Sequence, residues 1–157
     1  MKLLSIIPLA LSIMMMSCPQ SHKTNVFNDE INPVLSQPDS VLCYQIEPVQ
    51  GTDGIQPIPG FSRLEQKEVL SVEKEAILRF VLIDNPENYQ QEDDVIVMSP
   101  FLPLHEFAFM KGDKMVSILV STSDMTWVIA RGGEMIAKYN YKDPGVVERF
   151  CNTFYSF

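Results

Sequence analysis

The chain has 157 residues, of which 46% are hydrophobic and 20% are charged, and this length corresponds to a single domain. Its formal net charge is -8, so long-range electrostatic repulsion opposes non-specific binding to the phosphates of nucleic acid. Nucleic acid is therefore not an expected partner. Only one stretch resembles a membrane segment and the apolar fraction is that of a globular protein, which argues against a polytopic membrane protein and against wholesale disorder.

The first seventeen residues have the layout of an export signal. Lys2 gives a positive start, and residues 3–16 form an uncharged apolar run that two serines and one proline interrupt. At about 1.5 Å per residue, this run spans roughly 21 Å as a helix, which is short of the roughly 30 Å hydrocarbon layer of a bilayer. The pattern therefore predicts a cleaved signal peptide, residues 1–17, in preference to a permanent transmembrane helix.

The segment Met15-Met16-Ser17-Cys18 resembles a bacterial lipobox, although Met15 stands where Leu is more usual. The resemblance implies a diacylglyceryl thioether on Cys18, cleavage before it, and acylation of the new amino terminus by a chain such as palmitate. Two or three acyl chains anchor a protein stably in a membrane, where one would be marginal. Pro19 replaces the Asp of the inner-membrane retention signal, which favours the outer membrane and leaves the leaflet open. The alternative is plain secretion without a lipid on Cys18.

Residues 18–40 are predicted to be a lipidated N-terminus and a flexible tether. Residues 19–40 are polar, contain three prolines and show no sustained period of 2 or 3.6. One small folded domain is then predicted over residues 41–157. Removal of residues 1–17 takes away one lysine and no acid, so the mature chain carries a charge of -9.

The first predicted elements of the domain are a strand, a loop and a helix. Residues 41–47 alternate apolar and polar side chains, which is typical of a strand. Residues 51–61 contain three Gly and two Pro, and we expect an exposed loop there. Ser71 is a predicted N-cap for a helix over residues 72–84, whose apolar residues cover more than a narrow stripe and predict a well-buried helix.

After a polar loop at residues 87–94, short apolar runs alternate with turns. Strands are predicted at residues 95–98, 106–110, 115–120, 126–130 and 135–141. Asp143 and Pro144 provide an N-cap and a first-turn proline for a closing helix. Because strands and helices do not alternate, the predicted fold class is α+β, a two-layer structure with an antiparallel meander sheet, two helices packed on one face and the other face at least partly wet.

The region from Val72 through Trp127 to Phe154 resembles small uncharacterised bacterial envelope lipoproteins. The resemblance implies a shared fold and nothing about chemistry.

Two cysteines remain once Cys18 is assigned to the lipid. An exported compartment permits a disulfide between Cys43 and Cys151, and this is one prediction. The alternative is a pair of buried thiols, because Cys43 lies on the strand face opposite Leu42 and Tyr44, whereas Cys151 lies on the apolar stripe of the last helix.

The sequence predicts no catalytic residue, metal site or cofactor. His105 and Glu106 are adjacent on a strand and point to opposite faces, so they could not easily share a metal. No G-x-S-x-G elbow or phosphate-binding glycine loop occurs. Two carboxylates that meet only in the folded protein remain open as the basis of a small hydrolase.

The segment around Pro100 and Pro103 predicts a binding surface at Phe101, Leu102 and Leu104, with packing into the domain's own core as the alternative. The predicted function is that of a lipid-anchored cell-envelope protein with a non-catalytic binding role, whose partner is a protein or an envelope component. Two other classes stay open: the small envelope hydrolase, and an inhibitor or immunity-type protein that uses the loop at residues 51–61 as a wedge.

Overall fold

The structure is a computed structural model that describes residues 27–49, 56–91 and 101–155. In these ranges the elements in chain order are α1 (Asn32–Ser36), β1 (Ser40–Pro48), β2 (Phe61–Val69), α2 (Val72–Leu82), β3 (Tyr89–Gln91), β4 (His105–Lys111), β5 (Lys114–Ser121), β6 (Thr126–Arg131), β7 (Glu134–Tyr141) and α3 (Pro144–Asn152). A 3-10 turn at Pro86–Asn88 precedes β3. In this part of the chain, no helix is both long enough and apolar enough to cross a bilayer.

The strands form one antiparallel sheet in the order β2-β1-β4-β5-β6-β7-β3. Strands β4 to β7 are joined by consecutive hairpins, which confirms the predicted meander and the α+β class. Gly132 and Gly133 both have positive φ, at 61° and 84°, in the two-residue turn between β6 and β7, where glycine avoids a steric penalty.

Local sequence signals fix the starts of α2 and α3. The Ser71 hydroxyl accepts a hydrogen bond from the Lys74 backbone N–H at 3.3 Å, and the Asp143 carboxylate accepts one from the Val146 N–H at 3.1 Å. Each bond satisfies one of the N–H groups that a helix start leaves without an internal partner. Both predicted N-caps are therefore confirmed.

All three helices pack on the same face of the sheet, which we call the helix-covered face. Phe107, Ile118 and Trp127 lie on it with at most 1% exposure, and they belong to one core with residues of all three helices. Trp127 stacks on Tyr139, with 4.5 Å between ring centroids. This aromatic and aliphatic core joins the two layers.

The opposite side of the sheet, which we call the second face, carries a smaller core. Leu119 and Val128 are fully buried there, with Phe61 and Phe101 packed against the same cluster. The two ring centroids are 6.3 Å apart, so the chain before β4 and the start of β2 cover part of this face.

The predicted start of the domain at residue 41 needs a correction. Phe27, Ile31, Val34 and Leu35 are buried in the main core, so residues 27–40 belong to the fold and not to a tether. Prolines in this stretch favoured an irregular segment, but Pro33 lies in the first turn of α1, where its missing N–H breaks no helical bond.

Strand β2 was not predicted from the sequence, and β3 falls inside the predicted polar loop. Strand β2 lies at one edge of the described sheet, and its run of charged side chains has no clean alternation. Edge strands often carry charges, because charges oppose pairing with other chains. The strand predicted at residues 95–98 lies outside the described residues.

Candidate functional site

A buried ion pair lies on the second face. Glu106, in β4, has no solvent exposure, and Arg63 reaches it from β2 across β1. Arg63 Nε donates to Glu106 Oε2 and Nη2 donates to Oε1, both at 2.6 Å. Ser117 Oγ also donates to Oε1 at 2.6 Å. The two carboxylate oxygens therefore accept three hydrogen bonds, two of them from a cation.

The register of three neighbouring strands brings these groups together. Arg63 is paired with Ile46 on β1, and Glu106 is paired with Tyr44 on the same strand. The guanidinium carbon lies 4.2 Å from the centroid of the Tyr44 ring, a cation–π contact. The hydrogen bond to Glu106 raises the pKa of Arg63, which keeps the guanidinium charged. This bidentate pair joins the edge strand to the centre of the sheet.

Sequence analysis missed this pair, although one signal for it is present. Glu106 stands between His105 and Phe107 in a strand whose apolar run continues to Phe109, and all of these residues are buried. A carboxylate inside such a run indicates a buried partner. The identity of that partner depends on the pairing of β2, which the sequence does not reveal.

The predicted surface at Phe101, Leu102 and Leu104 lies beside this pair. The Phe101 ring packs on Phe61, and Lys138 Nζ lies 5.8 Å from the ring centroid. Leu102 and Leu104 are 43% and 44% exposed. Phe101 thus packs into the protein, as the alternative expected, while the two leucines present apolar surface to solvent.

Backbone bonds hold Leu104 in place. Its N–H donates to the Val120 carbonyl and its own carbonyl accepts from the Ile46 N–H, both at 3.1 Å. Ile136 is 42% exposed and belongs to the same face by strand alternation, because Ala137 packs against the helix-covered core. Leu104 is therefore held between β1 and β5, and Ile136 adds a second exposed apolar side chain to this face.

Cys43 and Cys151 lie in the same core on the helix-covered face, as free thiols that are 0% and 1% exposed. Burial raises the pKa of both thiols to about 12, and the charge of a Cys151 thiolate would further raise the pKa of Cys43. Buried thiols of this kind are poor nucleophiles. The disulfide between them stays a prediction, and the helix-covered face is where it would form.

His105 lies on the helix-covered face, and its neighbour Glu106 lies on the second face, as predicted. The imidazole ring centroid is 5.0 Å from that of Tyr155 and 6.3 Å from that of Phe107. Burial lowers the pKa of His105 to about 4, so the ring is neutral at pH 7. Among the residues that the structure describes, no three His, Cys, Asp or Glu side chains cluster as a metal site would require.

A cavity of about 130 Å³ lies among α2, β7 and α3. Ligand pockets usually measure about 300–1,000 Å³, so this cavity is small for a substrate. Its wall is formed by Phe80, Val81, Asn88, Tyr141, Asp143, Val146 and Val147.

No family model, curated protein or solved structure matches the chain.

Proposed function

We propose that this chain is a lipid-anchored cell-envelope protein whose α+β domain binds a protein or envelope component without catalysing a reaction. The anchor is the acylated Cys18, and the membrane is the outer membrane. Support for the anchor comes from the signal peptide at residues 1–17 and the lipobox that ends at Cys18.

One observation carries the binding role. The domain pairs its buried carboxylate internally, through Arg63 and Glu106, and yet leaves Leu104 on the same face, and Leu102 two residues before it, nearly half exposed. Neighbouring exposed apolar side chains are typical of a contact surface.

The hydrolase alternative receives no such support. A glycosidase-like site needs two carboxylates that face one cleft. Within the described residues, Glu106 is the one buried carboxylate, and its partner is a cation. The inhibitor alternative rests on the loop at residues 51–61, of which residues 51–55 lie outside the described part, while Pro57 and Ile58 are buried.

The anchor is tested by the intact mass of protein extracted from membranes, compared with a Cys18→Ala variant. We expect cleavage before Cys18 with the added mass of a diacylglyceryl group, and loss of that mass in the variant. An unacylated soluble product from the wild-type chain would contradict the anchor.

The binding surface is tested by a photo-crosslinking residue placed at Leu102 in living cells. We expect one discrete adduct that disappears when Leu104→Ser is added. Met125 is the matched control position, because it is 46% exposed on the turn between β5 and β6. The same adduct from Met125, or one that Leu104→Ser leaves unchanged, would contradict the assignment of this surface.

A further inference from the structure

Helix α2 turns an apolar side toward solvent. Val72, Ile77 and Phe80 are 80%, 48% and 62% exposed, and Ala76 is exposed between them. Ile77 and Phe80 are three positions apart, and Ala76 and Phe80 are four apart, so they share one side of the helix. Glu73 is an exposed charged residue on the same side. We call Val72, Ala76, Ile77 and Phe80 the α2 patch.

The sequence predicted a helix that is buried over most of its surface, and this was wrong. That prediction was based on apolar residues spread over a broad part of the helix surface. The sheet covers only one side of α2, so the apolar residues on the other side stay exposed. Its buried residues are Leu78, Val81 and Leu82.

Phe27, the first residue that the structure describes, lies near the C-terminal end of α2. The Phe27 ring stacks on Tyr89 with 6.5 Å between centroids, and Tyr89 Oη donates to the Ile83 carbonyl at 3.4 Å. Asn88, one residue earlier, donates from Nδ2 to the Phe80 carbonyl at 3.0 Å. Phe27 and α2 also lie on the same side of the sheet, because both contribute to the helix-covered core.

The distance along the chain from Cys18 to Phe27 is short. Nine residue steps separate them, and each can span at most about 3.6 Å, so the reach is at most about 32 Å. That is about the width of a small domain, whose radius of gyration is roughly 14 Å. An acyl anchor on Cys18 would thus keep Phe27, and with it the nearby Phe80 end of α2, within about 32 Å of the bilayer.

We propose that the α2 patch docks on the lipid–water interface of the membrane in which Cys18 is anchored, with Phe80 as the deepest side chain. This inference rests on the proposed function, because it needs the lipid on Cys18. A short tether gives an effective concentration in about the millimolar range, so a patch too weak to bind membranes alone is sufficient. The second face, with Leu102 and Leu104, then points away from the lipid and toward partners.

The charged residues around the α2 patch indicate which lipid headgroups it would contact. Lys74 is bonded to Glu68 at 2.6 Å and Arg79 to Asp84 at 3.1 Å, so both cations are already paired with carboxylates, and exposed Glu73 adds a negative charge. The mature chain is itself strongly acidic. The patch therefore suits a zwitterionic interface and binds through apolar contact, not through headgroup charge.

The test uses the lipidated full-length mature chain in phosphatidylcholine vesicles with brominated acyl chains, which quench nearby tryptophan. Phe80→Trp is the reporter, and Leu104→Trp is the control on the second face. Native Trp127 is fully buried and gives a constant background. We expect about twofold quenching of the reporter, since an interfacial side chain lies about 5–10 Å into the headgroup and acyl boundary, and none of the control. Ile77→Trp is a second reporter.

The outcomes separate this inference from the proposed function. Acyl mass on Cys18 with no quenching of either reporter, or with equal quenching of the control, overturns the α2 patch and leaves the anchor intact. Absence of the acyl mass overturns both. A blue shift of Phe80→Trp that bromine does not quench and that protein dilution reverses would assign the patch to a second copy of the chain, and would also overturn the inference.

Discussion

The two faces of the sheet are stabilised in different ways. The helix-covered face is closed by three helices over a core that contains Phe107 and Trp127, both fully buried. The second face has a smaller apolar cluster, and beside it the buried pair of Arg63 and Glu106. Apolar burial is non-directional and tolerates many partners, whereas a buried charge needs one partner in one geometry. The first face thus supplies most of the stability, and the second fixes how the edge strand β2 joins the sheet.

Truncation of one aromatic on each face should separate their contributions most clearly. Trp127→Ala should lower the free energy of unfolding by about 3–5 kcal/mol, because it removes a large, fully buried side chain. Phe101→Ala on the second face should cost about 1–2 kcal/mol, because its ring is already partly exposed. Urea denaturation measures both. Equal losses would contradict the unequal roles of the faces.

Breaking the buried ion pair of Arg63 and Glu106 should give the next largest loss of stability. Arg63→Met should cost about 3 kcal/mol, because it leaves the Glu106 carboxylate buried without a cation. Adding Glu106→Leu should recover most of this loss, since an apolar pair needs no charge compensation. The control is Arg131→Met, which breaks an exposed pair with Glu30 and should cost less than about 1 kcal/mol. A double variant less stable than Arg63→Met would refute this account.

His105 makes the stability of the helix-covered face depend on pH. Its pKa falls from 6.5 to about 4 on folding because of burial, so between these values the unfolded chain binds more protons than the folded one. Its contribution is complete above pH 6.5 and is lost as the pH falls toward 4, up to about 3 kcal/mol. His105→Phe should flatten this part of the profile in urea titrations at several pH values. If the free energy of unfolding of His105→Phe depends on pH as strongly as that of the wild-type chain, other groups, such as the carboxylates, cause the dependence.

The smallest expected effect concerns the exposed leucines. Leu102→Ser and Leu104→Ser should each change the free energy of unfolding by less than about 0.5 kcal/mol, because both side chains are well exposed. Thermal or urea unfolding checks this directly. A loss of more than about 2 kcal/mol would mean that these residues support the fold and are not a free contact surface.

Local patterns predicted the meander well and the edges of the domain poorly. Alternation and turn residues identified β4 to β7 because each hairpin is closed by its own few residues. Strand β2 was not predicted, because an edge strand with one solvent-exposed side needs no clean alternation of apolar and polar residues. Helix α1 was not predicted because it is only five residues long and its two buried residues, Val34 and Leu35, directly follow a proline in a polar segment.

The sequence by itself predicted the α+β class and the two helix caps that the structure confirms, because each depends on residues close together in the chain. The export signal and the lipobox at Cys18 stay predictions from the same kind of local pattern. The tertiary structure alone decided that Arg63 meets Glu106, that Cys43 and Cys151 share one core, and that Phe80 stays exposed. These facts depend on which strands pair and which side of a helix meets the sheet. Such contacts join residues far apart in sequence, and no local pattern encodes their partners.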